Sequence, residues 1–359
     1  MEYEELSEDT EIEVNRIKVG HSYYLLDMKR NDVYSLESKR IGKFYKEPVG
    51  DEYIYEIRIE EEFMGDILKE KVKRVEELEQ PEQRSPEWYQ MRNQRLTASD
   101  GAASIGENPY QNRKKTILGK CGHNKFTGNS ATRWGQKYEE VACQVYEKRM
   151  NFHVDEYGLI PHGVIPFIGA SPDGITPEGI MLEIKCPPKR EIKEEPPHYY
   201  WIQMQLQLEV CDLERCDFEQ CKFEEYNDED EFLEDNHLGD YNKNEYGNEK
   251  GVIYEAKNIM DNSTFYMYPP LHIEYKKTEK WAKKKLKSLP IDANDYILNK
   301  TWWSLKIYMC TIVHRDRKWF REKYPLFKQF WKDVLYYRKV GVQDILPKKR
   351  AKKKVECLI

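Results

Sequence analysis

Ser171-Pro172-Asp173-Gly174 is followed, ten residues after Asp173, by Glu183-Ile184-Lys185. Pro172 and Gly174 mark a turn that carries Asp173. Glu183 and Lys185 lie in the apolar run Ile180-Met181-Leu182-Glu183-Ile184-Lys185-Cys186, where the strand period of two puts both side chains on one face. Two carboxylates beside a lysine can hold a divalent metal and activate water for attack on a phosphodiester. The plainer reading of the same pattern is a β-hairpin with a solvated Glu–Lys pair. Leu182, Ile184 and Cys186 favour a strand inside a core, where charges are costly unless paired or metal-bound. Pro187-Pro188 then stops the strand.

Several elements must position these groups. Ser85 caps a helix with Pro86 at its first position and Glu87 in its first turn, and Trp88, Met91 and Leu96 give it an apolar side. Thr97-Ala98-Ser99-Asp100 starts another helix. Trp134, Tyr138, Val141, Ala142, Val145 and Tyr146 predict a long helix over 131–150. Strands are expected at 154–159, 164–168 and 180–186, then a helix over 199–211 and a strand over 217–226. The acidic run 227–248 reads as a flexible loop. Further strands are expected at 252–256, 271–275 and 305–313, with a basic helix at 280–287 and an aromatic-rich helix at 317–337. Residues 1–80 read as a separate small β unit with strands near 23–26, 33–36 and 53–57 and a charged helix near 67–78. Residues 81–345 form the main domain, and 346–359 a basic tail suited to nuclear import or nucleic-acid contact, or one that merely solubilises.

The chain has 359 residues, 39% hydrophobic and 34% charged, enough for a substantial core under a charged surface. No apolar run reaches the length needed to cross a bilayer. The acidic start lacks the basic and apolar parts of a secretory signal, and eight scattered cysteines fit a reducing intracellular compartment. A net charge of −6 argues weakly against nucleic acid, but from Arg84 to Met150 there are 12 basic and 6 acidic residues.

Read in order, Trp88-Tyr89-Gln90-Met91-Arg92, Leu96-Thr97-Ala98-Ser99, Trp134-Gly135-Gln136-Lys137-Tyr138-Glu139, the Asp173 turn, Glu183-Ile184-Lys185-Cys186-Pro187 and Tyr200-Trp201-Ile202-Gln203-Met204-Gln205 resemble one family. It is the lambda-phage-type exonucleases or YqaJ-like viral recombinases, a branch of the PD-(D/E)XK nuclease superfamily. The resemblance spans roughly residues 84–226, and the extensions outside it are similar to those of large DNA viruses. It implies an α/β fold, with a restriction-endonuclease-like core of a mixed central β-sheet flanked by helices, and it leaves the small N-terminal β-rich unit unmatched. It implies that Asp173, Glu183, the Ile184 carbonyl and the helical Glu139 hold metal, with two Mg²⁺ ions for which Mn²⁺ can substitute. Lys185 would position or deprotonate the attacking water. Gln203 would bond near the nucleophile with Tyr200 beside it, and Arg92 and Ser99 would hold a DNA 5′-phosphate. The implied activity is 5′-to-3′ digestion of duplex DNA ends to leave 3′ single strands, in the cytoplasm or nucleus of an infected cell. A single-strand annealing or replication protein would be the partner, and the assembly a monomer or a ring-shaped homotrimer.

Plainer readings stand beside these. Glu139 on its own is a surface residue of an amphipathic helix, and Arg92 a helix-face charge. One of Gln203 and Gln205 is structural. Cys211, Cys216 and Cys221 are wrongly spaced for zinc and read as buried thiols. Trp302-Trp303 and the set Trp319, Phe320, Phe327, Phe330 and Trp331 read as core. The rival functions are a structure-specific endonuclease on the same fold and an inactive module that binds DNA or a partner protein.

Overall fold

The computed structural model describes residues 14–19, 21–49, 52–123 and 128–346. The basic tail beyond Leu346 lies outside the described residues. Five strands come first: β1 (Val14–Val19), β2 (Ser22–Asp27), β3 (Asp32–Tyr34), β4 (Arg40–Val49) and β5 (Glu52–Ile59). They pair in sequence order as an antiparallel meander. Tyr24, Leu26, Val33, Ile41 and Phe44 form its core with Ile67 of α1 (Glu61–Glu76). Val72 and Val75 of α1 join the main core instead, so the helix bridges two hydrophobic clusters.

Along the rest of the chain run α2 (Pro86–Asn93), β6 (Leu96–Thr97), α3 (Gly101–Ser104), α4 (Arg113–Lys120), α5 (Ser130–Met150), β7 (Ile160–Pro161), β8 (Ile168–Ala170), β9 (Gly174–Ile175), β10 (Ile180–Lys185), α6 (His198–Cys211) and β11 (Arg215–Glu225). Then follow α7 (Glu229–Glu234), β12 (Lys250–Asn258), β13 (Thr264–Met267), α8 (Tyr275–Lys287), β14 (Tyr296–His314) and α9 (Arg317–Val340). The central sheet has the order β13-β12-β14-β11-β10-β9. It is mixed: β10 and β11 are parallel and the other neighbours antiparallel. The parallel pair is joined through α6, the usual way to return a chain to a neighbouring parallel strand. This is the expected α/β architecture, a mixed central sheet flanked by helices, with a small N-terminal β unit.

Each face of the sheet is covered by helix. Ile202, Met204, Leu206 and Leu208 of α6 pack with Met181, Cys216 and Phe218 and with Phe320, Phe327 and Phe330 of α9. Tyr138, Val141, Ala142, Val145 and Tyr146 of α5 pack with Leu182, Ile184, Cys221, Phe223 and Trp303. Burying each such side chain contributes about 1.5–3 kcal/mol. The α5 residues recur at three- and four-residue spacing, Asn129 caps the start by accepting from the Thr132 N–H at 2.9 Å, and Asn151 in the left-handed region ends it. Trp303, Phe320, Phe327, Phe330 and Trp331 are core, and Cys211, Cys216 and Cys221 are free, buried thiols.

Several expectations need correction. No strand forms over 154–159 beyond one bridge from Asp155 to Ile175, and 164–168 is strand only at Ile168; the short β7 and β8 begin at or just past the end of each expected span. The strand expected at 271–275 is absent; a loop leads into α8, which starts at Tyr275. The acidic run is not a flexible loop. Asp228 caps α7, Phe232 is fully buried against Tyr275, and the Lys250 ammonium reaches the carbonyls of Phe232 and Asp235. One apolar anchor and one buried cation order a segment whose composition alone argues for disorder. The strand expected at 305–313 is the second half of β14, which spans 19 residues and pairs with both β12 and β11.

Candidate active site

Asp173 sits between β8 and β9, where its N–H donates to the Leu182 carbonyl at 3.2 Å. Gly174 permits this turn, because a Cβ there would lie 2.1 Å from Cγ1 of Val154. Asp173 Oδ2 accepts from the Ile184 N–H at 2.7 Å, which ties the turn to β10. Glu183 points from β10 towards α6 and its side chain is fully buried. Gln203 and Gln207, one helical turn apart on α6, each donate to it: Gln203 Nε2 to Oε1 at 2.7 Å and Gln207 Nε2 to Oε2 at 2.7 Å.

Lys185 completes the group. Its ammonium bonds Glu183 Oε1, donates to the Ile184 carbonyl at 3.0 Å and lies 3.9 Å from Asp173 Oδ2. One cationic nitrogen thus faces three oxygens: the Asp173 carboxylate, the Glu183 carboxylate and the Ile184 carbonyl. The Tyr200 ring is 5.1 Å from it. Burial alone would lower the lysine, but Glu183 and then Asp173 outweigh it and hold Lys185 above its usual range. Burial, followed by the Glu183 charge, pushes the Asp173 carboxyl well above its usual range. In this arrangement Lys185 acts as a hydrogen-bond donor to the oxygens around it. Every atom it faces is oxygen, the donor type that Mg²⁺ and Mn²⁺ prefer, so the residues fit such an ion.

The surrounding cleft encloses about 810 Å³ and is lined by Arg84, Arg92, Ser99, Glu139, Asp173, Lys185, Tyr200 and Gln203 among others. Its far wall is basic. Arg92 Nη2 donates to Ser99 Oγ at 3.0 Å, and the guanidinium lies 4.4 Å from the centre of the Trp88 ring. Trp88 Nε1 donates to Ser171 Oγ at 3.1 Å, which couples this wall to the Asp173 turn. Behind Arg92, Lys120 meets Asp100 at 2.9 Å and donates to the Arg92 carbonyl at 3.0 Å. Burial would raise the Asp100 carboxyl, but Lys120 and Arg92 outweigh it and hold it below its usual range.

Glu139 lines the same cleft but is held by a different partner. Arg84 Nη2 reaches its two oxygens at 3.2 and 3.4 Å. Burial raises the Glu139 carboxyl, against the pull of Arg84 and Lys185. Among the described residues, no three His, Cys, Asp or Glu side chains converge closely enough to form a metal cage on their own. Asp173, Glu183, Ile184 and Lys185 form one hydrogen-bonded group, and Glu139 shares the cleft with it.

Two residues of the site were missed in the sequence. Gln207 was detectable, since it stands four residues after Gln203 and so shares its helix face. Gln205 is the structural glutamine: its Nε2 donates to the His314 carbonyl at 2.9 Å and its Oε1 accepts from the Asp316 N–H at 2.6 Å. Arg84 gave no signal; it precedes the α2 cap with a φ of 69°.

Residues 87–214 match the family model described as the YqaJ-like viral recombinase domain. An uncharacterized protein of Acanthamoeba polyphaga mimivirus is 30% identical over 298 residues, covering 74% of this chain and 54% of its own length. A protein of African swine fever virus is 28% identical over 159 residues, 35% of this chain and 45% of its own. The chain thus spans about half the length of the curated relatives it matches. Among solved structures, an alkaline exonuclease of Laribacter hongkongensis, LHK-Exo, is similar in its complex with dAMP at 19% identity and a TM-score of 0.43, covering 72% of this chain and 97% of that one. Both the ordered motifs and the family match fall on the segment that builds the cleft: residues 87–214 of this chain match the YqaJ-like viral recombinase domain.

Proposed function

We propose that the chain is a metal-dependent DNA exonuclease that engages 5′-phosphorylated duplex ends and leaves 3′ single strands for viral recombination, replication or repair. The observation that carries this reading is the set of three oxygens around the Lys185 ammonium, in one cleft with the Arg92–Ser99 pair. Asp173, Glu183 and the Ile184 carbonyl would hold Mg²⁺, or Mn²⁺ in its place, with Glu139 as a further carboxylate in the same cleft. Such ions, when bound, supply charge stabilisation at the attacking and leaving oxygens of a phosphodiester.

The chain's own residues do the rest. Gln203 and Gln207 fix the plane of the Glu183 carboxylate by bonding one oxygen each. The Ile184 N–H fixes Asp173. Lys185 positions the attacking water by donating to it or takes its proton, and Tyr200 walls that side. Arg92, braced on Trp88 and Ser99, takes the terminal phosphate through charge-assisted bonds. The family's name supports the recombination role, and a single-strand annealing or replication protein is the partner the product calls for. A chain acting on its own and a homotrimer both suit the reading.

The test is digestion of linear and covalently closed duplexes with Mg²⁺, comparing 5′-phosphate with 5′-hydroxyl ends. Loss of linear DNA alone, faster from phosphorylated ends and stopped by chelation, is the expected result. Equal cutting of closed circles would replace the exonuclease with a structure-specific endonuclease.

A further inference from the structure

Tyr110 is 76% exposed, although it lines the same cleft as Arg92 and Lys185. Its ring stands out from a loop that is itself firmly held. Asn108 Oδ1 accepts from the N–H groups of Tyr110 at 2.8 Å and Gln111 at 3.1 Å. Gln111 Nε2 donates to Thr116 Oγ1 at 2.9 Å, pinning the loop to α4. Glu107 pairs with His198 at 2.8 Å and with Lys323 at 2.7 Å, tying it to α6 and α9. The loop thus offers a fixed ring to solvent.

The ring is also the outer member of an aromatic row. Tyr110 meets Tyr199 edge-on, with centroids 5.5 Å apart at 87°. Tyr199 lies 4.3 Å from Tyr200, whose ring faces the Lys185 ammonium at 5.1 Å and the Arg190 guanidinium at 5.7 Å. Tyr110 remains 76% exposed beside this contact and lines the cleft, so its ring is open to a ligand there. Cations suited to phosphates and an open aromatic face suited to a planar ring therefore share one cavity, which is the pairing of groups that a nucleotide presents.

We propose that Tyr110, backed by Tyr199, is a stacking platform for one nucleobase of the DNA strand whose phosphates lie along Arg92 and Lys185. The identity of this occupant rests on the nuclease reading. Stacking accepts any base, because every base has a π face, so the platform adds affinity without sequence preference.

The test is equilibrium binding, in EDTA so that no cleavage occurs, of a short 5′-phosphorylated duplex labelled at its far end. A second series of duplexes lacks the base at each terminal position of the 5′ strand in turn. Tyr110→Ala is expected to weaken binding of the intact duplex by about 5- to 150-fold. Tyr110→Phe, which keeps the ring, is expected to recover that loss. One abasic duplex should be bound almost equally by the parent and by Tyr110→Ala, and it identifies the stacked base. The platform is overturned if Tyr110→Ala binds the intact duplex as the parent does, or loses the same factor on every abasic duplex. A parent protein that binds no duplex end overturns the nuclease reading instead, and the occupant with it.

Discussion

Replacing Lys185 with alanine tests the physical core of the site without any catalysis. The lysine side chain is 21% exposed and the Glu183 side chain fully buried, so this ion pair is largely removed from water. Deleting one partner of such a pair typically costs about 3–5 kcal/mol, because the other charge stays buried. Gln203 and Gln207 still donate to Glu183 in the variant, which places the expected cost near the lower end, about 3 kcal/mol. With a urea slope of about 3 kcal/mol/M, this moves the unfolding midpoint by about 1 M. The assay is urea unfolding in EDTA at neutral pH, followed by tryptophan fluorescence. In a Glu183→Gln background the same lysine deletion should cost only about 1 kcal/mol, a coupling of about 2 kcal/mol between contacting residues. Millimolar Mg²⁺ should return stability to Lys185→Ala by mass action, about 2.7 kcal/mol at a hundredfold excess over Kd. A cost under about 1 kcal/mol that adds simply to that of Glu183→Gln refutes the ammonium as the occupant of a shared cation position.

The remaining expectations follow from other contacts. Arg92→Ala should reduce the preference for 5′-phosphate over 5′-hydroxyl ends about ten- to a hundredfold, the worth of one charge-assisted bond, read from initial rates on the two substrates. Gln207→Leu removes a bond to Glu183 Oε2 and should slow digestion while leaving duplex binding in EDTA unchanged; equal loss of both would make Gln207 a packing residue only. The ion network at the α6–β14 corner sets an acid limit. Arg315 meets Glu209 at 2.6 Å and Asp212 at 2.8 Å, and although burial would raise it, Glu209 is held down at about 2. Asp212 and Glu214 are also lowered, by Lys71 and Arg315 for Asp212 and by Arg317 and Arg315 for Glu214, in each case against burial. Depressed carboxyls stabilise the fold above their unfolded values of about 4, and that contribution is lost as pH falls towards about 2. The urea midpoint should therefore drop over this window, and Arg315→Leu should shrink the drop, with Lys71 and Arg317 still acting on Asp212 and Glu214; an unchanged acid profile in that variant would exclude Arg315 as a source.

Much of the site could be read from the chain because its geometry is local. The strand period alone puts Glu183 and Lys185 on one face, and Pro172 and Gly174 alone place Asp173 in a turn. The Ser85 cap is there, with the Trp88 N–H donating to Ser85 Oγ at 3.1 Å. What escaped depended on tertiary placement. Gln203, Gln205 and Gln207 alternate in sequence, which hides the helical relation that sends 203 and 207 to Glu183 and 205 to the start of α9. Glu139 lines the cleft with Asp173 and Lys185, but its partner Arg84 comes from a stretch without pattern. The order in the acidic run comes from Phe232 and Lys250, whose partners lie far along the chain. The short β7 and β8 could not be delimited, since β8 pairs with β7 over only two positions and with β6 from far along the chain.

The central claim is that Asp173, Glu183 and Lys185 form a hydrolytic centre for DNA. The most direct measurement is nucleotide release from a linear 5′-phosphorylated duplex in Mg²⁺ by the parent and by Asp173→Ala, with urea unfolding run on both. The expected result is release by the parent and none above background by Asp173→Ala, with a cooperative urea transition showing that the variant is folded. Release by Asp173→Ala at the parent's rate would contradict it.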